Sequence, residues 1–87
     1  MTAARPLPNR LIVLRQVEGS RWCVVHHEVH DGKRRFAGRI ATAREYAPAC
    51  RVALAEAKRS KLPLGIEATG EWLRPFRSHD MPQGTGI

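Results

Sequence analysis

The chain has too little cysteine, too little acid and too short an apolar run for several whole classes of protein. Two cysteines in 87 residues, Cys23 and Cys50, supply no disulfide framework, and their apolar neighbours mark them as small buried thiols. No stretch approaches the ~18 consecutive apolar residues of a membrane helix. The opening MTAARPLPNR lacks the apolar core of a secretory signal. A cytoplasmic protein without a membrane partner is therefore expected. The eight carboxylates (Glu18, Glu28, Asp31, Glu45, Glu56, Glu67, Glu71 and Asp80) are scattered over turns, helix and tail. Neither a carboxylate pair nor a set of nucleophile, base and orienting group assembles from them. No Gly-rich phosphate loop follows a strand, and so short a chain has little volume for a pocket. No enzymatic activity and no cofactor are expected.

Positive charge is plentiful by contrast. Fifteen Lys and Arg give a formal net charge of +7, and twelve of the fifteen are Arg. This balance favours polyanionic partners, nucleic acid first and an anionic membrane surface or an acidic protein next. Arginine adds the bidentate geometry that suits phosphate and guanine.

The segment Arg21 to Ile40, RWCVVHHEVHDGKRRFAGRI, reads as a β-hairpin closed by Asp31-Gly32. A two-residue type I′ turn needs positive φ at both central positions, which Asp-Gly tolerates. The turn sets His30 opposite Lys33, Glu28 opposite Arg35, His26 opposite Ala37 and Val24 opposite Arg39. Strand alternation then places Cys23, Val25, Val29, Phe36 and Ile40 on a core face. It places Trp22, His26, Glu28, His30, Lys33, Arg35 and Arg39 on the other. His26, His27 and His30 do not form a metal site in this arrangement. His26 and His30 lie about 13 Å apart on one face while His27 points away, so three ligands never meet one zinc.

Residues 1–9, with Pro6 and Pro8, read as a flexible lead-in. Leu11 to Val17 reads as a first strand, joined to the hairpin through Glu18-Gly19-Ser20. A two-residue loop there puts Ile12 and Leu14 on the core side, and a three-residue loop puts Leu11 and Val13 there instead. Thr42-Ala43-Arg44-Glu45 matches a capping box, predicting a helix from Thr42 to about Lys61. Pro48 conflicts with a smooth helix. It implies either a kink or a short turn over 43–46 ahead of a main helix. Beyond Lys61, Ile66 suits a short edge strand, and Trp72, Leu73 and Phe76 fold back over the core or anchor a partner. Residues 77–87 read as a disordered tail. The expected architecture is α+β, a three-stranded antiparallel meander packed on one C-terminal helix (βββα), forming a single domain over residues 10–76.

Gly19 and Trp22 opening the second strand, the basic turn Gly32-Lys33-Arg34-Arg35, and Thr42 with Glu45 at the helix start resemble a known arrangement. It is that of the N-terminal DNA-binding domains of phage and transposon integrases. The resemblance spans residues 11–61, and Pro48 departs from it. It implies a three-stranded sheet backed by a helix, and DNA contact through the face of Trp22, Arg35 and Arg39.

Charge and pattern together nominate Trp22, His26, Lys33, Arg35 and Arg39, joined by Arg15, as a nucleic-acid-binding face, with DNA favoured. The alternative is a protein-interaction module that uses Trp72 and Phe76 as anchors, or pairs edge to edge as a homodimer.

Overall fold

Asp31 and Gly32 have φ of 53° and 76°, the pair of left-handed conformations that a type I′ turn demands. In the computed structural model, which describes residues 9–71 and 73–82, they join β2 (Trp22–His30) to β3 (Lys33–Arg44). Near the turn the pairing is His30 with Lys33 and Glu28 with Arg35, as the two-residue loop predicts. Further on, three register shifts intervene, and the partners become His26 with Gly38, Val25 with Arg39, Val24 with Ala41 and Trp22 with Arg44. Each shift adds one residue to β3 and turns the following side chains to the other face.

β1 (Arg10–Gln16) pairs antiparallel with β2, Leu14 opposite Val24 and Gln16 opposite Trp22. The Val17 N–H donates to the Arg21 carbonyl at 2.9 Å, which leaves Glu18-Gly19-Ser20 as a three-residue loop. On its other side β1 runs parallel to β4 (Leu64–Glu67), and β4 pairs antiparallel with the two-residue β5 (Arg74–Pro75). The result is one five-stranded mixed sheet in the order β3-β2-β1-β4-β5. The α+β expectation holds, but the three-stranded meander with a terminal helix does not. The helix falls between β3 and β4, and two strands follow it. The reason lies in β1. Leu11, Ile12, Val13 and Leu14 are apolar toward both faces, as suits a strand with neighbours on both sides.

The helix α1 (Tyr46–Ser60) starts later than the capping box predicts, because β3 continues through Thr42 to Arg44. Glu45 occupies the N-cap and makes no side-chain capping bond. Pro48 is then the third helical residue, where a missing N–H forfeits no helical bond. The C-terminus closes at Lys61, whose N–H donates to the Ala57 and Lys58 carbonyls and whose φ of 57° turns the Leu62 N–H back onto the Ala57 carbonyl at 3.0 Å. Ala49, Cys50, Ala53 and Ala57 form the buried stripe of α1 and pack on Ile12, Leu14, Val24 and Ile66. Full burial of side chains such as Ile12, Leu14 and Val24 contributes roughly 1.5–3 kcal/mol each.

The opposite face of the sheet carries a second, smaller cluster of Val13, Cys23 and Val25, flanked by Leu11, Val17 and Leu73, with no helix among the described residues over it. Leu73 lies so close to Gly65 that a Cβ there would sit 2.7 Å from its Cδ1 and 3.2 Å from the Arg74 carbonyl oxygen. The segment expected to be disordered from Arg77 onward includes an ordered 3-10 turn, Ser78–Asp80. Arg74 grips the Asp80 carboxylate with bonds of 2.9 and 2.7 Å, and the Arg77 N–H donates to it at 2.7 Å. The Tyr46 hydroxyl donates to the Asp80 carbonyl, which fixes the turn to the start of α1. No helix among the described residues is long and apolar enough to cross a membrane.

Candidate functional site

The nominated residues divide between the two faces of the sheet. Trp22 lies on the helix side, packed against the main core, with its ring edge-to-face with Tyr46 at 4.9 Å and 71°. His26, opposite Ile12, shares that side, and its Nε2 is buried without a partner among the described residues. Lys33 and Arg35 also point to that side but lie on the exposed stretch beside the turn. Arg15 and Arg39 lie on the opposite face, opposite Cys23 and Val25. The single basic band carrying Trp22 is therefore not formed. The helix covers the Trp22 face, and the extra residues in β3 send Arg39 to the far side. Phe36 and Val29, assigned to the core by strict alternation, lie on the open face; Phe36 is 55% exposed.

The open face is polar at its centre. One guanidinium nitrogen of Arg15 is 3.0 Å from His27 Nε2 and 3.3 Å from Glu67 Oε1, and Arg34 reaches the same carboxylate oxygen at 3.4 Å. Arginine has only donors, so His27 Nε2 must accept, and the imidazole is neutral with its proton on Nδ1. That Nδ1 is buried and has no partner among the described residues. Burial, reinforced by Arg15 and Arg34, pulls the His27 pKa down to about 4. The His27 ring in turn meets Phe36 at 6.1 Å and 90°, bracing an aromatic that otherwise faces outward.

Beyond this network, β3 is a strip of positive charge. Lys33, Arg34, Arg35, Arg39 and Arg44 all belong to it, and no acid occurs between Lys33 and Arg44. Among the described residues only Arg34 of the five has an ion-pair partner. The strip is the edge of the sheet, and residues 31–37 are exposed without exception. A recess of about 400 Å³ at the turn is lined by His30, Asp31, Lys33, Arg34 and Arg35. At the other edge an apolar groove of about 240 Å³ runs between Leu11, Pro63, Leu64, Leu73 and Pro75.

Of the two anchors nominated for a protein partner, Trp72 lies outside the described residues. Phe76 packs against the helix-side core, its N–H donating to the Leu64 carbonyl at 2.9 Å. The remaining perturbed groups belong to the fold. Burial pushes Tyr46 up to about 12 and raises the Cys50 thiol, while Arg74 holds Asp80 down at about 2. Both cysteines are free and buried. Among the described residues no three His, Cys, Asp or Glu side chains converge as metal ligands.

Sequence reasoning missed Phe36 and underweighted Arg34. The available signal was the run KRRFAGR itself, where an aromatic flanked by cations on both sides sits poorly in a core. Comparison with known protein families, with curated proteins and with solved structures finds no match for this chain.

Proposed function

We propose that this chain is a small non-enzymatic nucleic-acid-binding protein whose contact surface is the edge strand β3 and its turn. The observation that supports this reading is uncompensated charge. Four of the five cations of β3 have no ion-pair partner among the described residues, on a strip that spans the nine residues of β2, about 30 Å at strand spacing. A surface charge left unpaired attracts a polyanion, and arginine presents two parallel donors to phosphate. Trp22 and His26, on the helix-packed side, serve the fold in this reading. Lys33, Arg35 and Arg39 are the contact residues, with Arg34 beside them and Arg15 beneath.

Fluorescence anisotropy with labelled single-stranded and duplex oligonucleotides, at low and moderate salt, tests the proposal. Binding should weaken steeply with salt through counterion release. In an Arg35→Ala/Arg39→Ala variant the slope of log K against log salt should fall by roughly 1.5, two phosphate contacts at about 0.7–0.9 each. Absence of binding at low salt, or an unaltered slope in the variant, refutes the proposal and makes a protein partner the leading account.

A further inference from the structure

We infer that the nucleic acid is bound single-stranded, with a base stacked on Phe36 on the open face of the sheet and phosphates held by the β3-edge cations that have no ion-pair partner among the described residues, including Arg39 and Arg35. This deepens the nucleic-acid reading and rests on it. Two observations favour a single strand over entry of the hairpin into a duplex groove.

The first is width. A two-stranded ribbon fits a major groove about 12 Å wide. Here β1 accompanies the hairpin almost to its tip: Arg10 pairs with Glu28, and the Asn9 carbonyl accepts the Val29 N–H at 2.8 Å. Only the turn and about two residues on each side project as a free ribbon. The rest is at least three strands wide, roughly 10 Å between outer backbones before side chains are added. Arg39 lies well inside that broad part and cannot follow a ribbon tip into a groove.

The second is the aromatic. Phe36 and Met81 are the large hydrophobic side chains exposed among the described residues, and only Phe36 lies on the sheet. It is opposite His27 on the helix-free face, with Arg34 and Arg39 on the same face. The perpendicular contact with a buried, neutral imidazole fixes the ring from one side. An outward-facing ring between guanidiniums is a stacking platform for an unpaired base, which a base inside a duplex cannot reach.

The test compares three labelled probes of about 12 nucleotides: a thymidine strand, the same strand in a duplex, and an abasic strand of equal charge. Each is titrated at one low salt concentration against the wild type, Phe36→Ala and Phe36→Trp. The wild type should bind the base-bearing strand about tenfold or more tighter than the duplex. Phe36→Ala should weaken base-bearing binding by about ten- to a hundredfold and leave abasic binding unchanged, while Phe36→Trp should retain the wild-type order. Thermal melting of each variant shows that the fold survives, as an exposed side chain permits. A duplex bound as tightly as the strand overturns the inference while leaving nucleic-acid binding intact. So does equal loss on abasic and base-bearing probes, or no loss. Failure of all three probes to bind overturns both readings.

Discussion

Acidification through the ordinary histidine range should destabilise the protein, because His27 resists protonation in the fold. In the folded state its Nε2 accepts from Arg15 at 3.0 Å, and its pKa is held at about 4 against an ordinary 6.5. A proton on Nε2 would abolish that bond and set a charged imidazole, itself only 3% exposed, against the Arg15 guanidinium. The folded pKa lies below the unfolded one, so the penalty is absent above about 6.5 and grows as pH falls toward 4. At full effect the difference corresponds to roughly 3 kcal/mol. At about pH 5, with the unfolded histidine charged and the folded one still neutral, about 2 kcal/mol has been lost. For a domain of this size that lowers the melting temperature by roughly 8–15 °C. The assay is urea or thermal unfolding at about pH 7.5 and pH 5, on the wild type and on His27→Gln, which keeps an acceptor for Arg15 but takes no proton. Asp80 does not interfere, because its own loss of stability comes between about 3.8 and 2. Parallel declines in the two proteins would refute the argument.

Two further substitutions probe the packing. Gly65→Ala should cost roughly 1–3 kcal/mol in urea unfolding, since the added methyl meets both Leu73 and the Arg74 carbonyl; a neutral result would mean that Leu73 does not lie over β4. Lys61→Gly should stabilise by roughly 0.5–1 kcal/mol, because glycine occupies the left-handed cap without the penalty lysine bears there; unchanged or lower stability would contradict that geometry.

Local signals in the sequence carried well wherever a single residue pair fixes the backbone. Asp31-Gly32 set the hairpin and its first register pairs. Longer-range features were not legible. Each of the three shifts in β3 reverses facing, so alternation counted from the turn fails beyond Phe36. The capping box at Thr42 and Glu45 was a real local preference, overridden because Ala41 and Arg44 pair with β2. The parallel pairing of β4 left no local mark, since LGIE is short and its partner lies some fifty residues earlier. The candidate site inherits these errors. Its residue types were visible in the run KRRFAGR, while their division between two faces required the register.

The placement of β1 also bears on the order in which the chain acquires its structure. This strand precedes the other four in chain order and lies in the middle of the sheet, yet its second neighbour comes late: Arg15 meets Glu67 across 52 residues. Until Leu64–Glu67 has left the ribosome, one edge of β1 stays unpaired and Ile66 is missing from the main core. The hairpin and α1 can form early, from contacts close in sequence, but the sheet closes only through a distant one. The sheet thus closes only once residues 64–67 are available, and a nascent chain paused before residue 64 carries an open edge prone to mispairing.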